Sequence, residues 1–174
     1  EESKQKLIEE LKSGMIEELS TEAQKLPIGQ ADPVALDWVN GRRTPDANQS
    51  LKAAIANLSL GTKAPHIFKS LVEAICFGSK KIIDRFREEH VVIKSVVGIG
   101  GVAKKSPYIM QTLADVLNMP IKVAVSDQAP ALGAAIYAAA ASGVYSSTEE
   151  AIKKIEDALK ILSFPKTFPE GSNF

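Results

Sequence analysis

Six residues within nine positions carry the densest chemical signal in the sequence. Gly98, Gly100 and Gly101 close a β-branched run, and Lys104, Lys105 and Ser106 follow. Glycine has no Cβ, so backbone N–H groups there can approach a ligand closely and positive φ is tolerated. The two lysines suit a phosphate nearby, or they simply extend into water. Gly98-x-Gly100-x-x-Ala103 also fits the relaxed dinucleotide fingerprint, with Asp127 after the next predicted strand in the ribose-binding place. A tight turn with no ligand is the third reading. Helix position separates the first two. Ser is a favoured N-cap and Pro a favoured first helical residue, so Ser106-Pro107 predicts a helix from about Pro107. That leaves residues 100–105 as a loop, whereas in the dinucleotide fold the helix begins inside the glycine run. No second βαβ half is visible either. A loop of this length better suits a flat base or ribose lying over backbone.

Other chemistry-bearing residues are fewer. Arg42 and Arg43 could clamp an anion bidentately, or satisfy loop carbonyls, Asp37 or Asp46. Glu73 beside an apolar helix face is expected to be solvated or ion-paired. Cys76 lacks a neighbouring histidine or lysine at catalytic spacing, which predicts a buried inert thiol. His66 and His90 lie a helix length apart without nearby Cys, so no zinc site is expected. The sequence has no Gly-x-Ser-x-Gly, no Walker loop and no carboxylate pair at acid/base spacing. It therefore reads as a binding site without catalytic machinery.

The elements that must position these residues follow from periodicity. Residues 1–26 suggest one or two amphipathic helices, with Gly14 a possible break. Residues 34–40 alternate as a strand, with Trp38 a core or interface anchor. Residues 51–60 are expected to form a short helix or turn closed by Gly61. Ile67, Leu71, Ile75, Ile82 and Phe86 predict the longest helix, residues 65–89. Gly78 in its middle predicts a close crossing by another element, because it lowers helix propensity by about 1 kcal/mol relative to Ala. A strand at 91–98, the loop, a helix from Pro107, a strand at 123–125 and a small-residue helix at 131–141 follow. Residues 149–162 predict a further amphipathic helix, with Glu149 and Glu150 at its positive start. Residues 163–174 read as an irregular tail. Strand, glycine loop, helix, strand, helix is an α/β nucleotide-site layout.

Composition bounds the function. The chain has 174 residues, 45% of them apolar, which predicts one domain with a buried core. Lys+Arg and Asp+Glu both number 21, so formal charge is zero. That balance argues against nucleic-acid coating and against a membrane-surface role. Residues 128–148 carry no charge, but Pro130 and Gly143 interrupt them, which favours a buried helix over a membrane span. The single cysteine suits a reducing compartment, and no signal peptide is visible, so a cytoplasmic location is expected. The chain opens Glu1-Glu2 without Met, as a piece of a longer protein would.

Two segments resemble the C-terminal domain of the FGGY carbohydrate kinases. They are Ala35-Leu-Asp-Trp-Val-Asn-Gly-Arg-Arg-Thr-Pro-Asp-Ala-Asn48 and Gly100-Gly-Val-Ala-Lys-Lys-Ser-Pro-Tyr-Ile-Met-Gln-Thr-Leu-Ala-Asp-Val-Leu-Asn118. Ser126-Asp-Gln-Ala-Pro-Ala-Leu-Gly-Ala-Ala-Ile136, Leu71-Val-Glu-Ala74 and Phe77-Gly78 are similar too, so the likeness spans roughly residues 30–145 in order. It is strongest to members that phosphorylate L-ribulose.

The resemblance implies an α/β fold, a partial actin-like (ribonuclease-H-like) ATPase domain with helices packed on a small truncated sheet. Residues 1–29 would be an N-terminal helical segment, 30–145 the kinase C-terminal core and 146–174 a C-terminal helix and tail of one partial domain. It further implies ATP and Mg2+ as cofactors and a pentulose such as L-ribulose as substrate in the full-length enzyme, placing it in arabinose catabolism. Other pentulose or polyol kinases, xylulokinase among them, are the alternative within the family. Gly100, Gly101 and Val102 would hold adenosine, and Lys105 or Ser106 would contact adenine. No residue here matches the catalytic aspartate, which the resemblance places in an absent N-terminal lobe. The isolated chain is thus expected to be inactive. Surface left uncovered without that lobe makes self-association an expectation.

Overall fold

The structure is a computed structural model that describes residues 2–27, 32–124, 128–156 and 161–164. The chain divides into two compact units, one built chiefly from residues up to Ile93 and the other chiefly from Lys94 onward.

In the first unit, α1 (Glu2–Gln24) is one unbroken helix through Gly14. Nothing lies within 4 Å of where a Gly14 side chain would start, so that glycine marks no break. Its Leu11, Met15 and Ile16 stay exposed, while Ala23 is buried. Strand β1 (Val34–Leu36) pairs antiparallel with β2 (Ala54–Ala56), Val34 opposite Ala56. The expected helix or turn at 51–60 is therefore a strand. Alanine favours helix locally, and a partner strand overrides that preference.

The long helix α2 (Ala64–Glu88) runs almost as expected and packs against both α1 and β1. Pro65 sits in its first turn, His66 Nδ1 accepts from the Lys63 N–H at 3.2 Å, and Arg85 and Arg87 complement the dipole at its end. Val72 and Cys76 are buried on its inner face. Beside them lies a buried lysine that periodicity did not predict. Lys69, 7% exposed, donates to the Pro27 carbonyl at 2.7 Å and pairs with Asp32 at 2.9 Å. Both contacts tether the chain between α1 and β1 to α2. Gly78 has no neighbour within 4 Å of a Cβ position, so no close crossing explains it.

In the second unit, β3 (Val96–Gly98) runs parallel to β4 (Ile121–Ala124), with Val96 opposite Ile121 and Gly98 opposite Val123. Strand β5 (Ile161–Phe164) adds antiparallel to the other side of β4. Between β3 and β4 come α3 (Gly101–Lys105) and α4 (Pro107–Leu117). Helices α5 (Ala129–Ala141) and α6 (Thr148–Glu156) follow and pack on one another. The central strand is the core, since Ile121 and Val123 are wholly buried together with Ala114 and Ala151.

Three expectations change here. The strand at 91–98 is confined to its last three residues. The helix at 149–162 ends at Glu156, and Ile161-Leu162 belong to a strand because pairing with β4 satisfies their backbone. Helix α6 starts at Thr148, one residue earlier than expected, with Ser147 as its side-chain cap. Ser147 Oγ accepts from the Glu150 N–H at 3.2 Å, and the Glu150 carboxylate accepts from the Ser146 N–H at 2.9 Å. Hydrogen bonds from the Ser146 hydroxyl and from the Ser146 N–H hold the Glu150 carboxyl below its ordinary range.

Candidate nucleotide-binding site

The glycine segment forms the edge of the parallel pair. Strand β3 ends at Gly98, where a Cβ would lie 3.2 Å from Ala103 Cβ and 3.4 Å from Met110 Sδ. A side chain there would press on α3 and α4, so close packing favours glycine at position 98. Gly100 differs. Its φ of 86° and ψ of −177° fall in a region essentially reserved for glycine. No atom lies within 4 Å of the Cβ positions of Gly100 or Gly101. The two glycines therefore present bare backbone to open space.

Residues 101–105, expected to be a loop, form the short helix α3. The Lys104 N–H reaches the Gly100 carbonyl at 3.3 Å and the Ser106 N–H reaches that of Val102 at 3.1 Å. Ala103 is buried beneath it. A helix that begins inside the glycine run removes the loop-length argument against the dinucleotide fingerprint. Asp127, the other half of that fingerprint, lies outside the described residues.

The remaining predicted site residues part company. Val102 is 63% exposed and Ile99 58% exposed, flanking the bare backbone with apolar surface. Lys105 is exposed, whereas Ser106 is 7% exposed. Ser106 Oγ accepts from the Ile109 N–H at 3.4 Å, the N-cap role its pairing with Pro107 predicts. Its hydroxyl is turned into the start of α4, so Lys105 is the side chain with access to solvent. Gly101, Val102 and Lys105 are thus exposed and Gly100 partly so, whereas Ser106 is buried at the start of α4.

Arg42 is structural. It stacks over Trp38, 5.2 Å to the ring centroid, and pairs with Asp46 at 3.0 Å. Its Nε is buried without a hydrogen-bond partner. Arg43 is exposed. Trp38 and both arginines line a cleft of about 580 Å³ against α2, confined to the first unit. Sequence reasoning missed that cleft, because its walls come from residues 33–45 and 70–82 and no local pattern joins them. Gly78 on its α2 wall was the one available signal.

Glu73 also lines the cleft. Burial pushes its carboxyl up, opposed by Lys69 at 3.9 Å. Cys76 is fully buried, and burial with the adjacent Glu73 charge pushes its thiol up to about 12, so it is an inert core thiol as expected. Among the described residues no group of three or more His, Cys, Asp or Glu could hold a metal ion. No helix is long and apolar enough to cross a membrane among those residues.

Comparison with known proteins gives this arrangement a context. Residues 1–142 match the C-terminal domain of the FGGY family of carbohydrate kinases. The ribulokinase of Vibrio parahaemolyticus is 52% identical over 143 residues, covering 82% of this chain and 25% of that protein. The Bacillus licheniformis ribulokinase is 43% identical over 146 residues, covering 80% of the chain and 26% of that protein. The chain thus spans about a quarter of the length of the curated relatives it matches. Among solved structures, Plasmodium falciparum glycerol kinase with ADP superposes with a TM-score of 0.72 at 22% identity, over 88% of this chain and 30% of that one. The xylulose kinase of Rhodospirillum rubrum gives 0.67 at 21%, over 88% and 29%. These two likenesses establish the fold, that of the actin-like sugar kinases.

Proposed function

This chain belongs to the FGGY family of carbohydrate kinases, and from that premise we propose that it supplies the adenosine-holding part of an ATP-dependent sugar kinase. The carrying observation is the open ledge at Gly100 and Gly101, where glycine-only backbone faces space instead of core. A base or ribose can lie against that backbone at van der Waals distance, which any side chain at position 100 would prevent. Ile99 and Val102 give the flat ring apolar neighbours, and the Lys105 ammonium can reach its polar edge. Ser106 fixes the start of α4 and so the height of the ledge. The glycerol kinase that shares the fold was solved with ADP, which supports a nucleotide as the ligand.

In the whole enzyme, bound ATP supplies the phosphoryl group that passes to a hydroxyl of L-ribulose or a related pentulose. The two ribulokinase relatives favour L-ribulose. Mg2+ would be held chiefly by the nucleotide phosphates, with one or two carboxylates of the whole enzyme beside them. The acid/base residue belongs outside this domain, because phosphoryl transfer needs several positioned parts at once. The 174 residues alone bind ATP weakly and turn over no sugar.

The test is a chimera in which these residues replace the matching quarter of the Vibrio parahaemolyticus ribulokinase. ATP-dependent phosphorylation of L-ribulose is the expected result. A soluble, folded chimera without turnover, or turnover by the 174-residue chain alone, contradicts the reading. Preference for D-xylulose or glycerol in a sugar panel would move the assignment to another kinase of the family.

A further inference from the structure

The cleft in the first unit is a separate feature with its own chemistry, and nothing in the nucleotide reading uses it. Its volume of about 580 Å³ suits a small organic molecule. One wall is the segment carrying Trp38 and Arg43, and the other is the face of α2 carrying Glu73, Phe77 and Lys81. Gly78 also lines it, and a Cβ there would meet nothing within 4 Å. A larger residue would fill this space, so glycine keeps the helix wall low at a cost of about 1 kcal/mol in helix propensity.

The charges in the cleft are unevenly engaged. Arg42 is committed to Asp46 and to the Trp38 ring. Arg43 and Lys81 have no ion-pair partner among the described residues, since the carboxylate of Asp84 is taken by Lys80 and Arg87. One of these two free cations comes from each wall. The lining also includes the aromatic Trp38 and Phe77 and the polar Glu73 and Ser70, whose hydroxyl donates to the Ile67 carbonyl at 2.9 Å. A cation without an internal partner on each wall leaves the cleft able to bind an anion such as a phosphate. Aromatic rings beside carboxylate and hydroxyl groups suit a polyol, which offers C–H faces to the rings and O–H groups to the acids.

We propose that this cleft is a second small-molecule site that takes a phosphorylated sugar, with the phosphate between Arg43 and Lys81 and the polyol along Trp38 and Glu73. The assignment stands on the cleft alone and does not depend on the adenosine ledge. It provides a place for a sugar phosphate to act on the protein away from the nucleotide.

Trp38 is the chain's single tryptophan, so its fluorescence reports occupancy directly. Ribose 5-phosphate titrated into the 174-residue chain should change that fluorescence saturably, with a dissociation constant at or below about 1 mM. Ribose and inorganic phosphate should each bind at least about tenfold more weakly. Arg43→Ala and Lys81→Ala, both at exposed positions, should each weaken binding about tenfold with unchanged circular dichroism. Gly78→Leu, which adds helix propensity while filling the cleft, should abolish binding. No saturable change by about 10 mM overturns the proposal. So does equal binding of ribose or of inorganic phosphate, or full binding by the Arg43→Ala and Lys81→Ala variants.

Discussion

The two proposed sites, the ledge at residues 98–106 and the cleft against α2, are built in different ways. The ledge is made of backbone. Its defining feature is the absence of side chains at Gly100 and Gly101, and everything that shapes it lies within nine consecutive residues. The cleft is made of side chains from two segments about thirty residues apart, and its one backbone device is Gly78. A backbone site tolerates change in its lining but not in its conformation. A side-chain site tolerates conformational adjustment but not loss of charge. Substitutions therefore ought to act differently in the two places.

The largest effect is expected at Gly100. Gly100→Val forces a β-branched side chain into a glycine-only region, at a cost of about 1–3 kcal/mol, and places it where the ring should lie. In the active chimera, kcat/KM for ATP should fall about 100-fold, given 1.36 kcal/mol per tenfold. KM for L-ribulose should barely move. Steady-state kinetics with each substrate varied in turn measures both.

Gly98→Val comes next and sharpens the distinction between the neighbouring glycines. It overpacks against Ala103 and Met110, so chemical denaturation should show a loss of about 1–3 kcal/mol. Gly101→Ala should cost far less stability, because its Cβ position is open.

In the first unit, Lys69→Ala removes a buried ammonium and leaves the Pro27 carbonyl and Asp32 without it. Urea denaturation should show a loss of about 1–3 kcal/mol. The adjacent Glu73 gives a smaller effect of the opposite sign. Burial raises its folded pKa above the ordinary 4.5, so the folded state prefers the protonated acid. The stability this confers is present below pH 4.5 and lost as pH rises through the folded pKa. Glu73→Gln should therefore raise the melting temperature slightly at neutral pH and leave it unchanged below pH 4.5. Thermal scans at both pH values check the sign.

How much of this was legible depended on whether the signal was local. Apolar periodicity placed α2 within a residue at each end, and Ser106-Pro107 placed the start of α4 at Pro107. The positive φ of Gly100 was legible because glycine tolerates it where other residues do not. The short helix α3 was not, since five residues carry too little periodicity to register. Strands β2 and β5 were misread for another reason. Ala54-Ile55-Ala56 becomes a strand only because β1 lies beside it, and Ile161-Leu162 only because β4 does. Neither partner is near in sequence. The Ser147 cap of α6 was missed, although a serine three residues before an acid is a local signal for a helix start. Gly78 was read as a crossing point, but its empty surroundings make it part of a cavity wall. Lys105 and Ser106 are told apart by burial, which spacing does not supply.

The most direct test of the ledge is saturation-transfer NMR on the 174-residue chain with ATP at millimolar concentration, a method suited to weak binding. Transfer should reach the adenine ring protons and the ribose anomeric proton, and Gly100→Val should abolish it while circular dichroism stays unchanged. No transfer to adenosine protons, or equal transfer to the wild-type and Gly100→Val chains, would contradict the account.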